Sequence, residues 1–398
     1  MISQNIKGLM ESPSAGVIRK MFEEGALLKK KYGAENVFDV SLGNPDLEPP
    51  EEVSAAEKSV AADDTPGRHG YMPNAGYPET RAAMAEKTAQ EQGVAVGAEN
   101  VVMSVGAAGA LNTVLKALLN PGDDEVAVFC PYFTEYDHYI HNHGGKIVKV
   151  AAKSDFSPDT DALASVLSGN TAAVIINSPN NPTGRIYSDA EIRAIAGTLR
   201  KSGEKTGRFP YLICDEPYRA ITYGGKKVAA VFPEYPNSVV VTSFAKNLSL
   251  PGERIGYICV NPACPEAGEF TAAAIFATRI LGFVNAPAFF QKVIARSWNA
   301  RCDYSLYARR RDELTEIMDY AGLEYARPDG AFYLFVKVPE KWNGDDLAFT
   351  AHLKKFNILC APGSGFGGPG WFRIAYCVSE STILNSRQAF YRAVHGDD

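Results

Sequence analysis

Short apolar runs recur through the first two thirds of the chain, and amphipathic stretches separate most of them. The runs are "VVM" at 101–103, "VAVF" at 126–129, "KIVKV" at 146–150, "AAVIIN" at 172–177, "YLICDE" at 211–216, "VVVTSF" at 239–244 and "IGYICV" at 255–260. They are rich in β-branched residues and largely lack polar alternation, as strands covered on both faces do. Between them the period lengthens: after "SVGAAGA", Leu111, Val114, Leu115 and Leu118 fall at i, i+3, i+4 and i+7, one face of a helix. The alternation predicts an α/β fold built on a mostly parallel, doubly wound, seven-stranded sheet.

From about residue 290 the pattern changes. A long charged helical stretch, "YSLYARRRDELTEIMDYAG", is followed by "AFYLFVKV" and "WFRIAYC", which read as strands of a smaller α+β unit. The first 50 residues hold one helix, over about 15–31, and the loop "SLGNPDLEPP". The expected division is an N-terminal segment (1–50) that contributes to the small domain, a large domain (51–288) and a small C-terminal domain (289–398). A chain of 398 residues is too long for one simple core, which agrees with such a division.

Composition narrows the function classes. The chain is 46% hydrophobic and 22% charged, ordinary for a globular protein. Its net charge of −6 favours neither nucleic acid nor an anionic membrane as partner. No apolar run approaches the roughly 18 residues of a membrane span, and the start, "MISQNIKGLMESPSAG", lacks the apolar core of a signal peptide. Seven cysteines stand singly, with no CxxC pair. These features predict reduced thiols, no metal and a cytoplasmic location.

Ligands of open α/β sheets sit beyond the carboxyl ends of the strands, so the residues just past each run carry the chemical signal. After "VVM" come small residues that open a helix, whose free amides can hold a phosphate. "VAVF" is followed by "CPYFTEY", "AAVIIN" by "SPNNPTG", and "YLIC" by Asp215 and Tyr218. "VVVTSF" is followed by Lys246, with Arg254 eight residues on. This set suits a phosphorylated heteroaromatic aldehyde. A lysine amine condenses with the aldehyde. Asp215 keeps a ring nitrogen protonated, and Phe133 stacks on the ring. Ser243, Arg254 and the amides near 106–108 take the phosphate. The cofactor implied is pyridoxal 5′-phosphate.

The chain resembles the class I/II, fold-type I aminotransferases. "SFAKNLSLPGERIG" fits that family's lysine signature, including the spacing from Lys246 to Arg254. "NSPNNPTG", "CDEPYR", "GYMPNAGYPETR", "PDGAFYLF" and "GSGFGGPGWFRIAY" match further blocks in order, from "SLGNPD" at 41–46 to the last strand. The resemblance implies that Lys246 binds the cofactor covalently and then shuttles a proton, and that Asp215 pairs with the pyridinium nitrogen. It implies Tyr218 and Asn181 on the ring's phenolic oxygen, Phe133 as stacking plate, and Ala107, Ala108, Ser243 and Arg254 around the phosphate. Tyr71 reaches the phosphate of a neighbouring subunit in a homodimer. Arg373 clamps the substrate α-carboxylate, with Asn181 and the Gly43 backbone. Many relatives carry Ser or Thr where Ala108 stands, so one hydroxyl contact to phosphate is missing. The family pattern also implies cis bonds at Cys130–Pro131 and Asn181–Pro182.

Blander explanations compete residue by residue. A lysine after a strand is usually solvated, Asp215 and Asn180 could serve turns, and Phe133 or Tyr71 could be plain packing. Arg373 in an apolar strand requires an anionic partner. His138, His141 and His143 do not share one helix face, which argues against a metal. "GSGFGGPG" at 363–370 lacks a P-loop lysine and precedes a strand, so it is expected to shape the approach to Arg373. The expected activity is transfer of an amino group between an L-amino acid and a 2-oxo acid. A cysteine-S-conjugate β-lyase or a cyclopropane-forming synthase uses the same motifs. A ligand-sensing regulator module would need an upstream winged-helix domain. An acidic substrate would need a second cation, for which Arg279 is the candidate.

Overall fold

The computed structural model describes residues 2–11 and 24–396. The helix expected over about 15–31 is present over 24–32, and its earlier part lies outside the described residues. A two-residue strand, β1 (Phe38–Asp39), precedes the main sheet. That sheet comprises β2 (Val101–Ser104), β3 (Glu125–Cys130), β4 (Lys146–Ala151), β5 (Thr171–Asn177), β6 (Tyr211–Asp215), β7 (Ser238–Ser243) and β8 (Gly256–Val260). These are the seven runs read from the sequence. Their order is β2-β8-β7-β6-β5-β3-β4. All neighbours are parallel except β8, which runs antiparallel to both β2 and β7.

Alternate side chains of each central strand enter different cores, which is why the runs lack polar alternation. In β5, Val174 and Ile176 join one core, whereas Ala173 and Ile175 join the other. Helices Glu51–Ala61, Pro78–Gln92, Asp189–Thr206 and Ala288–Ser297 supply residues to the first. Helices Gly106–Leu118, Glu135–Asn142 and Ala267–Ile280 cover the second. Leu111, Val114 and Leu115 are buried there, with Leu118 partly so, as their spacing requires. Local signals agree with the packing. Ser188 and Glu191 form a capping box at the start of helix Asp189–Thr206, and left-handed Gly207 ends it.

The smaller unit is a four-stranded sheet in the order β12-β13-β10-β9, from β9 (Tyr325–Ala326), β10 (Tyr333–Lys337), β12 (Ala361–Pro362) and β13 (Trp371–Ala375). β11 (Ile358–Leu359) pairs in parallel with β1 of the N-terminal segment. The core of the smaller unit includes Val40, Tyr307, Leu334, Phe349 and Phe372. The helix Ala288–Ser297 does not belong to it. Val293, Ile294 and Ala300, which follow the expected 288/289 division, pack in the core under the main sheet.

Candidate active site

Five loops leave the carboxyl ends of β2, β3, β5, β6 and β7 on one edge of the sheet, and they carry the expected residues. Beyond β7 the backbone turns at Ser243 into a short helix, Phe244–Asn247, which holds Lys246 over the edge. Lys246 Nζ donates to the Gly43 carbonyl at 2.5 Å and lies 5.6 Å from the centre of the Phe332 ring. Burial lowers its pKa to about 8, helped by the Arg373 and Arg254 charges and opposed by Cys377. Its amine is therefore within reach of the neutral, nucleophilic form near physiological pH.

Asp215 closes β6 and is buried. Tyr136 donates to its Oδ2 at 2.5 Å, whereas Oδ1 is buried with no hydrogen-bond partner. Desolvation pushes this carboxyl up to about 7, against the lowering effect of the Tyr136 hydrogen bond. Asn177, at the end of β5, joins two neighbouring loops. Its Nδ2 donates to the Asp215 carbonyl at 2.8 Å, and its Oδ1 accepts from the Asn181 amide at 2.7 Å. Asn180 has the turn role considered for it, accepting from both the amide and the hydroxyl of Thr183. The peptide bonds before Pro131 and Pro182 are cis, as expected, and so is Ser178–Pro179.

Ala107 and Ala108 stand half-buried in the first turn of helix Gly106–Leu118, where backbone amides lack helical acceptors. Arg254 faces the same turn: a Cβ on Gly106 would lie 3.1 Å from its terminal nitrogen. Gly256 permits this approach, because a Cβ there would meet the Gly106 backbone at 2.9 Å. Helix amides and a guanidinium thus make one anion cradle, beside the end of β7 where Ser243 stands. Phe133 is half-buried, edge-on to Tyr136 at 5.6 Å.

Arg373, on β13, is buried. Its two terminal nitrogens donate to Asn181 Oδ1 at 3.0 Å and to the Ser41 carbonyl at 2.7 Å. Its Nε is buried without a partner. The rings of Tyr333 and Phe366 lie 4.5 and 4.6 Å from the guanidinium carbon. Phe366 belongs to "GSGFGGPG", so that segment does shape the surroundings of Arg373. The carbonyl that meets Arg373 is that of Ser41, while that of Gly43 is taken by Lys246. Tyr218 is buried, and its hydroxyl lies 3.0 Å from that of Tyr333.

Two expected residues do not converge within this chain. Tyr71 is 94% exposed. Arg279 is exposed on helix Ala267–Ile280, 5.1 Å from the Phe276 ring. Tyr136, Asn177, Tyr333, Phe366 and Ser41 were not singled out by sequence. Tyr136 carried a usable signal, since it stands three residues after Phe133 where a helix begins. Among the described residues no group of three or more His, Cys, Asp or Glu is placed to hold a metal ion.

The groups left unfinished fit pyridoxal phosphate. The unpartnered Asp215 Oδ1 calls for a buried cation or N–H donor, such as a pyridinium nitrogen, and the cradle of amides and Arg254 calls for an anion. A lysine amine of lowered basicity, which an aldehyde requires, is part of the same crevice.

Comparison with known proteins agrees with this geometry. Residues 35–390 match the family model for aminotransferase class I and II. The aspartate/prephenate aminotransferase of Thermus thermophilus is 30% identical over 402 residues, covering 99% of this chain and 98% of the relative. The aspartate aminotransferase of Pyrococcus horikoshii is 28% identical, covering 96% and 95%. Among solved structures, an amino transferase from Eubacterium rectale superposes with a TM-score of 0.94 at 39% identity, over 99% of this chain and 98% of that one. The Thermus thermophilus aspartate aminotransferase with maleate gives 0.85 at 27% identity, over 99% of both.

Proposed function

The chain belongs to the class I and II aminotransferases, and on that premise we propose how its crevice moves an amino group between an L-amino acid and a 2-oxo acid with pyridoxal 5′-phosphate. The supporting observation is one crevice holding a desolvated lysine, a buried carboxylate with a free oxygen, and a buried guanidinium with an unpaired N–H. The cofactor, when bound, supplies an aldehyde carbon that condenses with amines and a cationic ring that accepts an electron pair.

The residues supply the rest. Lys246 Nζ holds the cofactor, then takes the proton from the substrate Cα and returns it to complete the transfer. With the cofactor bound, Asp215 would pair with the ring nitrogen and hold its proton. Tyr218 and Asn181 would donate to the ring's phenolic oxygen, and Phe133 would supply an aromatic face for the ring. The Ala107 and Ala108 amides, Ser243 and Arg254 would hold the phosphate, the backbone amide serving at Ala108, whose side chain lacks a hydroxyl. Arg373 has N–H groups left over from Asn181 and Ser41, and these take a carboxylate through two parallel hydrogen bonds. Gly43 bounds the substrate side of the pocket. An amino acid and an oxo acid both carry a carboxylate beside the reacting carbon, so one clamp serves both half-reactions.

We also propose a cytoplasmic homodimer in which Tyr71 completes the neighbour's phosphate site. Exposure supports it: Tyr71 stands in solvent, and Phe276 and Ile280 are 53% and 49% exposed. Asn74 and Asn285 tie the stretch after Tyr71 to the loop beyond those apolar residues. All seven cysteines are free, as a reducing compartment allows. No described helix is long and apolar enough to cross a membrane.

The test is the half-reaction. A single amino acid without acceptor should convert the cofactor's visible absorbance stoichiometrically, and a 2-oxo acid should restore it. Steady ammonia release without that conversion identifies the β-lyase and ends the transaminase reading. Arg373→Lys keeps the charge and loses the fork, so both half-reactions should slow by about 10- to 100-fold. Aspartate is the first donor to try, because relatives bear its name, and Arg279 is the residue to vary if it succeeds.

A further inference from the structure

Helix Glu135–Asn142 begins just beyond β3, so its first turn stands at the carboxyl edge of the sheet. Tyr136, Tyr139 and His143 follow one another at i, i+3 and i+7, which gives them one face. Both ends of that face have fixed partners. Tyr136 donates to Asp215 Oδ2 at 2.5 Å. A ring nitrogen of His143 lies 3.2 Å from Asn112 Oδ1, and Asn112 Nδ2 donates to the Ala108 carbonyl at 3.0 Å. The face therefore looks onto Asp215 at one end and onto helix Gly106–Leu118 at the other, with Tyr139 between them.

Side chains on a helix lean toward its N-terminus, which carries the Tyr139 phenol back toward the crevice. The residue is half-buried and packs against the second core. Burial raises its pKa, the Glu135 and Asp215 charges raise it further, and the Arg254 charge lowers it. Those charges stand on its own helix, at the end of β6 and on the link between β7 and β8, so the hydroxyl sits where the three elements meet. Tyr136 and His143 each have a bonded polar atom, whereas the Tyr139 hydroxyl has no hydrogen-bond partner among the described residues. A phenol of raised pKa keeps its proton and acts as a donor. The anion cradle beside it has room for one: Arg254 brings a guanidinium and Ser243 a hydroxyl, but Ala107 and Ala108 bring only methyl groups beside their amides.

We propose that Tyr139 is a cofactor-binding residue whose hydroxyl donates to the cofactor phosphate, in place of a hydroxyl that the first turn of helix Gly106–Leu118 does not supply. The assignment rests on the phosphate position proposed above. Arg254 neutralises the anion, and Tyr139 adds direction without adding charge. One short helix then serves both ends of the cofactor, Tyr136 through Asp215 at the ring nitrogen and Tyr139 at the phosphate.

The test is equilibrium dialysis of the full chain against pyridoxal 5′-phosphate and, separately, against pyridoxal, which has the ring and aldehyde without the phosphate. Tyr139→Phe keeps the ring and removes only the hydroxyl. It should raise the dissociation constant of the phosphorylated aldehyde by about 10-fold or more, the worth of a hydrogen bond to a charged group, and leave that of pyridoxal unchanged. Adding Ala108→Ser to Tyr139→Phe puts a hydroxyl on the same helix turn and should restore most of the lost affinity. In the native chain Ala108→Ser should gain less, because the two hydroxyls answer one need. No loss in Tyr139→Phe, an equal loss for pyridoxal, or no recovery with Ala108→Ser would overturn the proposal while leaving the cradle in place. A native chain that binds pyridoxal as tightly as its phosphate ester would overturn the cradle, and the proposal with it.

Discussion

Asp215 supplies the most quantitative expectation. In the cofactor-free chain it is a buried carboxyl with one oxygen held by Tyr136 and the other unpartnered. Burial raises its pKa from the ordinary 3.8 to about 7. The sign comes from linkage: below 3.8 the carboxyl is protonated folded or unfolded and costs nothing extra. Between 3.8 and 7 the unfolded chain ionises while the folded chain keeps its proton, so stability falls as pH rises. Above about 7 the full cost is present. At about 1.4 kcal/mol per pH unit, that cost is about 4 kcal/mol. Asp215→Asn keeps the shape and an acceptor for Tyr136 while removing the charge. Cofactor-free Asp215→Asn should therefore exceed the native chain in unfolding free energy by a few kcal/mol at pH 8.5, and by little near pH 4. Urea unfolding of both proteins at the two pH values measures the difference. With cofactor bound the order should reverse, because a ring cation repays a carboxylate and not an amide. Equal pH dependence in the two cofactor-free proteins, or a less stable variant at pH 8.5, would refute this reasoning.

Two further expectations concern the same neighbourhood and the exposed edge. Tyr136→Phe removes the donor that opposes the desolvation of Asp215, at a cost of about 1–3 kcal/mol; equilibrium dialysis should show cofactor affinity lowered by about 10-fold or more, and unchanged affinity would remove Tyr136 from the site. If Tyr71 serves a neighbouring subunit, Tyr71→Phe should weaken phosphate retention without altering the sedimentation coefficient, and a fully active native monomer on dilution would exclude the shared site.

The sheet was legible because burial on both faces leaves strands no polar residue with which to disguise themselves. The orientation of β8 was not, since "IGYICV" is as apolar as any parallel strand. What sets its direction is the link from Ser243 to Gly256, twelve residues that carry Lys246 and Arg254. That is at the short limit for a crossover to a parallel neighbour, and it contains no long helix. Which core the helix Ala288–Ser297 joins was not legible for a related reason: an amphipathic period states that one face is buried and not against what. Tyr71 and Arg279 read as candidate site residues, and both are exposed on this chain.

The residues that sequence reasoning missed share a physical character. Tyr136, Tyr333 and Phe366 are aromatic residues in apolar surroundings, where packing is the default explanation, and only position reveals that two hydroxyls and two ring faces are spent on polar neighbours. Asp215 and Lys246, which it found, stand at or just beyond the ends of buried strands. That location gives them their chemistry as well as their visibility. At the end of a sheltered strand a charge loses its water, which draws Lys246 down to about 8 and Asp215 up to about 7. Two groups that in water would be fixed as ammonium and carboxylate are thereby brought to where the arrival of a cation, an anion or an aldehyde decides their state. Helix amides and Arg254 at the neighbouring strand ends form a cradle suited to an anion. The buried sheet is therefore the source of the reactivity at its edge.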